Sequence, residues 1–205
     1  MVPSYWTQAT DELSASDPLM AGLVAQYPGV SLVSRGDPFC TLARSIVGQQ
    51  ISVKAADSVW SRFVSVVGAV TPGRVAELGR EGLEGCGLSK RKIEYLADLA
   101  GHFLSGQLAP AGWAAHDDEA IIAELVAVRG IGRWTAEMFL IFNLMRPDVF
   151  PLDDIGLQRA IFLRYFNGEK QPRRAISAFG ERWRPWRSVA TWYLWRSLDP
   201  VPVAY

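Results

Sequence analysis

AVRGIGRWTAEMFLIFNLMRPDVFPLDDIGLQR, residues 127–159, places a short glycine-punctuated turn between two helical patterns, followed by prolines and a pair of aspartates. Gly130 and Gly132 permit positive φ angles and a close approach of the backbone to a partner. The helix after the turn is predicted to start near Arg133, and its first N–H groups have no partner within the helix. With Arg129 and Arg133 beside them, these N–H groups predict a site for an anion such as phosphate.

This stretch resembles the helix-hairpin-helix DNA glycosylases of the HhH-GPD superfamily. The hairpin of that family matches residues 128–132 with RWTA after it, and its aspartate falls within FPLDD at residues 150–154. The segment RWRPWRS at residues 182–188 resembles the tail of the AlkA-type 3-methyladenine glycosylases. The resemblance extends over residues 37–198. Since residues 1–37 are too few for the extra N-terminal β domain of some AlkA-type proteins, we expect that domain to be absent.

The fold that the resemblance implies is all-α, with two helical lobes, a helix-hairpin-helix motif and the active site in a cleft between the lobes. Residues 38–145 would form one lobe, which ends in the hairpin motif. Residues 1–37 and 146–205 would form the second lobe, which carries the aspartate and an Arg- and Trp-rich tail. In the first 37 residues, the pattern predicts one helix near residues 17–26, with a proline in its first turn.

Composition excludes several classes of protein. The chain has 205 residues, 49% of them hydrophobic, and equal numbers of acidic and basic side chains, so a nucleic-acid-binding surface must be local. Its two cysteines form no C-x-x-C pair, which argues against a disulfide framework and favours a reducing cytoplasm. Because the first residues lack the pattern of a signal peptide and no apolar run approaches membrane-spanning length, we expect neither a signal peptide nor a membrane-spanning segment. The two histidines are too isolated to indicate a metal site.

Asp153 and Asp154 open the helix that follows the prolines. Asp153 is predicted to be the N-cap, which places Asp154 in the first turn, where the helix dipole favours negative charge. A single carboxylate at a helix start is ordinarily only a cap. In the resembled family the second aspartate is catalytic, so the resemblance assigns catalysis to Asp154. That carboxylate would stabilise oxocarbenium character on the sugar and orient or deprotonate the attacking water.

The resemblance also implies a pocket for a damaged base. Alkylation at N3 or N7 gives a purine positive charge, which electron-rich aromatic rings attract. Trp134 and Trp195 are the predicted walls of this pocket. Met138 stands where some AlkA-type pockets have a tyrosine, which leaves the lesion range open.

Contacts with DNA are expected at two places. Gln49 and Gln50 lie at the tip of a helical hairpin that enters the minor groove in the family, where one side chain fills the gap left by the rotated nucleotide. The resemblance favours Gln50 for this role, with Gln49 as its neighbour, but the sequence alone does not decide between the two. At the other hairpin, the amides of Gly130, Gly132 and Trp134 would face phosphate. The carbonyl groups expected to hold a structural Na⁺ or K⁺ there belong to Val126, Val128 and Ile131.

A second cluster of charges lies at the start of a helix that Ser89 is predicted to cap. Lys90, Arg91 and Lys92 crowd its first turn, where the helix dipole disfavours cations. The pattern favours a cluster of solvated charges, with a nearby external anion as the alternative.

One position separates the two chemistries of the family. Members that also cut the DNA backbone carry a lysine nucleophile just after the hairpin, and the matching residue here is Trp134. Iron–sulfur members need four cysteines near the C-terminus, which this sequence lacks. We therefore expect a monofunctional glycosylase with no cofactor for its chemistry and no lyase activity.

The expected substrates are alkylated purines, such as 3-methyladenine and 7-methylguanine, in double-stranded DNA. The sequence does not rank 3-methyladenine against 7-methylguanine, hypoxanthine or ethenoadenine. Two alternatives stay open: a glycosylase for deaminated or oxidised bases, and a helix-hairpin-helix module that binds DNA without catalysis. A monomer in the bacterial cytoplasm, associated with the nucleoid, is the simplest expectation.

Overall fold

The structure of the chain is a computed structural model that describes residues 2–199. Eleven α-helices and two 3₁₀ helices, but no strand, occur in this range, which confirms the all-α class. The 3₁₀ helices are Pro110–Ala115 and Glu181–Trp183. The α-helices are α1 (Trp6–Ser16), α2 (Pro18–Gln26), α3 (Pro38–Gly48), α4 (Val53–Val67), α5 (Pro72–Leu83), α6 (Lys90–Leu104), α7 (Asp118–Val126), α8 (Arg133–Phe142), α9 (Ile155–Tyr165), α10 (Arg173–Gly180) and α11 (Arg187–Leu198).

The described residues form two compact units, one of residues 35–139 and one that combines residues 2–34 with residues 140–199. The predicted lobes have the same arrangement, with a central stretch of the chain in one lobe and both ends of the chain in the other. The predicted limits of the lobes, at residues 38 and 145, stay a prediction. Residue 1 and residues 200–205 of the predicted second lobe lie outside the described residues. None of the helices in residues 2–199 has the length and apolar character needed to cross a membrane.

In the unit of residues 35–139, short polar side chains fix where the helices begin. Each accepts a hydrogen bond from a backbone N–H in the first turn, which would otherwise have no partner in the helix. Thr71 and Ser89 act as caps, as predicted. Side-chain N-caps are also formed in this unit by Asp37, Ser52 and Asp117. The caps set the register in which helices α3 to α7 bury their apolar faces.

The first 34 residues contain two helices, so the prediction of a single helix was wrong. The additional helix, α1, has the polar sequence WTQATDELSAS, in which few apolar residues indicate a buried face. That face is nevertheless buried through Trp6, Ala9 and Leu13. The Trp6 ring packs edge-on against Trp192 of α11, with 5.3 Å between the ring centroids. A tertiary contact, which local periodicity does not reveal, therefore stabilises α1.

Asp17 lies between α1 and α2 and is only 7% exposed. Its Oδ1 accepts hydrogen bonds from the backbone N–H groups of Leu19 and Met20, which caps α2. Its Oδ2 accepts from the Tyr165 hydroxyl at 2.7 Å and from Trp183 Nε1 at 3.2 Å. Burial and the bond to Asp17 raise the pKa of Tyr165, so its hydroxyl remains a donor. This carboxylate joins three segments of its unit.

Candidate functional site

Asp154 is the N-cap of α9. Its Oδ1 accepts a hydrogen bond from the Leu157 N–H at 2.6 Å, and the residue is 7% exposed. The prediction that Asp153 is the N-cap was therefore wrong. The Asp154 N–H donates to the Pro151 carbonyl in a turn, which moves the helix start one residue along the chain. The Asp153 carboxylate forms an exposed ion pair with Arg173 instead, at 2.8 Å.

A second donor reaches the same oxygen of Asp154. Trp195 of α11 donates from Nε1 to Asp154 Oδ1 at 2.8 Å, across 41 positions of sequence. The Trp195 ring is also stacked on Phe142, with 5.8 Å between centroids and an interplanar angle of 14°. The predicted pocket residue Trp195 therefore also holds the predicted catalytic carboxylate. The only sequence signal for this bond is the indole N–H itself, because the N–H of a tryptophan that is partly buried usually has a hydrogen-bond partner.

Gly156 is a residue of this site that the sequence did not reveal. A Cβ atom at Gly156 would lie 3.1 Å from Asp154 Oδ1 and 3.4 Å from Trp195 Cδ1. A side chain there would therefore crowd the hydrogen bond between Trp195 and Asp154. The signal in the sequence is a glycine in the first turn of a helix, where its low helix propensity calls for a packing reason.

Replacement of Trp195 by phenylalanine tests how much the indole N–H contributes. Trp195→Phe keeps an aromatic ring but removes one donor to Asp154, so we expect about tenfold slower base excision, the effect of one hydrogen bond to a charged group. DNA affinity should stay within a few fold of wild type. The measurement is a single-turnover rate at saturating enzyme. Trp192→Phe is the matched control, because Trp192 lies on the same helix and packs on Trp6 instead; equal rates for the two variants would contradict the positioning role.

The glycine turn between α7 and α8 forms as predicted. Gly130 has a φ of +87°, and a Cβ atom there would collide with the ring of Tyr95. The Arg129 N–H donates to Asp98 Oδ2 at 2.8 Å, and the Ile131 N–H donates to the Val128 carbonyl at 3.1 Å. These contacts within the unit of residues 35–139 hold the backbone of the turn.

The two hairpin glycines should respond differently to substitution. Gly130→Ala combines a left-handed φ with a steric collision, so we expect a cost of about 1–3 kcal/mol in the hairpin and a corresponding loss of DNA affinity. Gly132→Ala is the control, since a Cβ atom at Gly132 meets no atom within 4 Å and leaves the N–H in place. The measurement is the Kd for duplex DNA at fixed salt, beside the melting temperature. Equal losses in both variants would contradict this description of the turn.

The two arginines beside the turn lie in ion pairs with acidic residues of the chain. Arg133 Nη1 donates to Glu119 at 2.9 Å, and Arg133 Nε donates to Glu137 at 3.0 Å. The hydrogen bond to Glu119 is the main cause that raises the pKa of Arg133. Arg129 contacts Glu94 at 3.4 Å. These acids partly compensate the positive charge, and the predicted phosphate contacts of both arginines stay a prediction.

The two glutamines at the tip between α3 and α4 have different surroundings. Gln49 donates from Nε2 to the Gly130 carbonyl at 2.8 Å, which connects the tip to the hairpin. Gln50 is exposed and has a φ of +59°. Lys92 donates to the Val47 and Gln49 carbonyls, and desolvation lowers its pKa. The expectation that Lys92 belongs to a solvated cluster was therefore wrong, because the end of α3 supplies acceptors for it.

The remaining predicted pocket residues lie on α8. Trp134 is 36% exposed and Met138 is 6% exposed, four positions apart and therefore on one side of the helix. A pocket that combines them with Trp195 stays a prediction. Among residues 2–199, no group of three or more His, Cys, Asp or Glu side chains could hold a metal ion. The two cysteines, Cys40 and Cys86, are not in a disulfide.

Comparison with protein families gives one match over most of the chain. Residues 43–185 match the model of the HhH-GPD superfamily of base excision DNA repair proteins. DNA-3-methyladenine glycosylase 1 of Schizosaccharomyces pombe is 32% identical over 179 residues, which cover 85% of this chain and 78% of that protein. A putative DNA-3-methyladenine glycosylase of Bacillus subtilis is also 32% identical and covers 88% of this chain. The aligned part spans 66% of that relative's own length.

Among solved structures, the chain is likewise similar to 3-methyladenine glycosylases. The DNA-3-methyladenine glycosidase of Bacillus halodurans has a TM-score of 0.86 and 35% identity, over 93% of this chain and 89% of its own. The 3-methyladenine DNA glycosylase of Schizosaccharomyces pombe, solved in complex with abasic DNA, has a TM-score of 0.78 and 30% identity. That match covers 96% of this chain and all of the solved chain.

Proposed function

Because the chain belongs to the HhH-GPD superfamily of base excision DNA repair proteins, we propose that it is a monofunctional DNA glycosylase for alkylated purines in duplex DNA. It flips bases such as 3-methyladenine and 7-methylguanine out of the helix and hydrolyses their N-glycosidic bonds. The observation that carries this proposal is the carboxylate of Asp154, buried at the start of α9 and oriented by the Leu157 N–H and the Trp195 indole.

The reaction needs one well-placed carboxylate. As the bond between deoxyribose C1′ and the base nitrogen breaks, the electron pair goes to the cationic purine, which leaves as a neutral base. The sugar gains oxocarbenium character, which the negative charge of Asp154 stabilises. The oxygen of a water molecule bonds to C1′, and Asp154 orients this water or accepts its proton. Asp154 Oδ1 is fixed by two donors before the substrate binds, so little reorganisation is needed.

Recognition of the base rests on its charge. The rings of Trp134 and Trp195 attract a cationic purine by about 0.5–2 kcal/mol per contact. An undamaged purine carries no such charge and is also a poorer leaving group. Met138, which is buried, contributes a polarisable side chain in place of a hydroxyl group. The proposed selection of lesions therefore depends on charge more than on a pattern of hydrogen bonds.

Duplex DNA binds through the hairpin. The backbone N–H groups of Gly130, Gly132 and Trp134 face a phosphate, and such backbone contacts do not depend on base sequence. We expect the carbonyl groups of Val126, Val128 and Ile131 to hold a structural Na⁺ or K⁺, because neutral oxygens without a carboxylate suit a singly charged ion. Such an ion would supply positive charge for the phosphate. No cofactor takes part in the chemistry.

We further propose that the chain acts as a monomer on chromosomal DNA, in the nucleoid of a bacterial cytoplasm. Its free cysteines, Cys40 and Cys86, suit a reducing compartment.

A panel of duplexes tests the substrate class. Each duplex carries one lesion: 7-methylguanine, 3-methyladenine, hypoxanthine, ethenoadenine or 8-oxoguanine. We expect rapid release of the two methylated purines and slow or undetectable release of 8-oxoguanine. Preference for hypoxanthine or 8-oxoguanine would favour a glycosylase for deaminated or oxidised bases. Binding to every duplex without release of any base would favour a non-catalytic DNA-binding module.

A further inference from the structure

The loop between α3 and α4, residues 49–52, is held from two directions within the unit of residues 35–139. The ammonium group of Lys92 donates to the Val47 carbonyl at 2.7 Å and to the Gln49 carbonyl at 2.8 Å. The side chain of Gln49 donates to the Gly130 carbonyl at 2.8 Å. Carbonyl groups at the end of a helix have no partner within it, and a cation there offsets the helix dipole. Lys92 therefore fixes the end of α3 and the start of the loop.

Gln50 has a backbone conformation that depends on this support. Its φ of +59° lies in the left-handed region, which is disfavoured for a residue with a Cβ atom. Such a conformation persists where the surrounding structure fixes it, often at a functional position. Lys92 holds the residue before Gln50. On the other side, Ser52 is the N-cap of α4, and its Oγ accepts a hydrogen bond from the Ala55 N–H.

We propose that Lys92 is a positioning residue for base flipping, which holds the loop so that Gln50 enters the gap that the flipped nucleotide leaves in the duplex. Gln49 does not fill the gap, because its amide binds Gly130 and joins the loop to the hairpin. The inference rests on the proposed glycosylase function, since the gap forms only when a nucleotide leaves the stack. Lys92 acts through Gln50 and does not touch the reacting atoms.

The surroundings of Lys92 favour this role over a direct contact with phosphate. The side chain is half-buried, and desolvation lowers its pKa. Two of its three N–H groups are directed at carbonyl oxygens of the chain. Lys90, two residues earlier on the same helix, is exposed and carries the same charge. A comparison of substitutions at Lys90 and Lys92 therefore distinguishes a positioning effect from a general loss of positive charge that attracts DNA.

A fluorescence experiment tests the inference without relying on catalysis. The probe is a duplex with a tetrahydrofuran abasic-site analogue opposite 2-aminopurine, whose emission changes when a side chain enters the gap. We expect wild type and Lys90→Met to give the full change, and Lys92→Met to give a much smaller one at saturating protein. Lys92→Arg should restore part of it, because arginine keeps the charge and the donors. Gln50→Ala defines the signal without insertion, and melting temperatures show that each variant is folded.

Excision rates give a second readout. We expect Lys92→Met to slow release of 7-methylguanine from a normal pair by about tenfold, the effect of lost charge-assisted hydrogen bonds. The loss should be smaller when the lesion lies in a mismatch, where flipping costs less. Adding Lys92→Met to Gln50→Ala should cause little further loss.

Several results would overturn the inference. One is a full fluorescence change with a folded Lys92→Met variant. Another is a loss of the fluorescence change in Lys90→Met that equals the loss in Lys92→Met. A third is the absence of any fluorescence change when the wild-type protein is bound to the duplex. A loss in Lys92→Met that follows only a lower melting temperature, with no rescue by Lys92→Arg, would also overturn it. If wild type gives the fluorescence change but releases no base from any lesion, the proposed function fails and the positioning role of Lys92 is still measured.

Discussion

Asp154→Asn should lower the rate of base excision by about 10²–10³-fold, the size of effect seen when one preorganised electrostatic group is removed from an active site. Asparagine can still accept the hydrogen bonds from Leu157 and Trp195, so the local geometry is kept while the negative charge is lost. The oxocarbenium character of the sugar then has no compensating charge, and the attacking water has no base. Affinity for duplex DNA should stay within a few fold of wild type, because the hairpin is unchanged.

The neighbouring residue provides a matched control. Asp153 carries the same carboxylate one position earlier but points to an exposed ion pair with Arg173. Asp153→Asn should therefore keep the excision rate within a few fold of wild type. The measurement is single-turnover release of 7-methylguanine, with Kd measured separately. A slow Asp153→Asn and a fast Asp154→Asn would show that the catalytic carboxylate was assigned to the wrong residue.

Asp17→Ala should have the largest effect on stability, a loss of about 3–7 kcal/mol in the free energy of unfolding. The substitution leaves the Tyr165 hydroxyl and the Trp183 N–H without their acceptor, at about 1–3 kcal/mol each. It also removes the N-cap of α2, which contributes about 1 kcal/mol. Against a total stability of about 5–15 kcal/mol, this change could unfold the chain at moderate temperature.

Asp37, which also precedes a proline at the start of a helix, provides the control for Asp17→Ala. Asp37 caps α3 by accepting the Cys40 N–H at 2.8 Å, and it is exposed. Asp37→Ala should therefore lose only the capping contribution, about 1 kcal/mol. Urea unfolding of both variants measures the difference. Similar losses in the two variants would mean that the bonds from Tyr165 and Trp183 contribute little to the stability of the unit.

The sequence predicts this fold well where short-range signals suffice. Pro18, Thr71 and Ser89 mark helix starts because each acts within one turn, and the structure has helices at those places. Helix α1 was missed because its stability comes from contacts of Trp6 with α11, nearly the whole chain away. The N-cap was misplaced by one residue because a turn to Pro151 decides between two adjacent aspartates.

For the candidate site too, features at fixed spacings in the sequence were predicted and contacts between distant residues were not. The resemblance supplies Asp154, Trp195 and the hairpin, since these occur at fixed spacings. The bond between Trp195 and Asp154 was not predicted, because no local pattern pairs residues 41 positions apart. The acids that pair with Arg133 and the carbonyls that bind Lys92 were missed for the same reason. The role of a charged residue such as Arg133 or Lys92 can be inferred only when the groups that bind its charge are known.

The most direct test of the proposed function uses wild-type protein and a duplex that carries a single 7-methylguanine. We expect release of the free base at single-turnover rates, an intact DNA strand until alkali is added, and no covalent adduct after treatment with borohydride. This result would follow from hydrolysis supported by Asp154, with no lysine nucleophile at Trp134. Strand cleavage before alkali together with a trapped adduct would contradict a monofunctional mechanism. Absence of any released base, with DNA bound, would contradict the proposed activity itself.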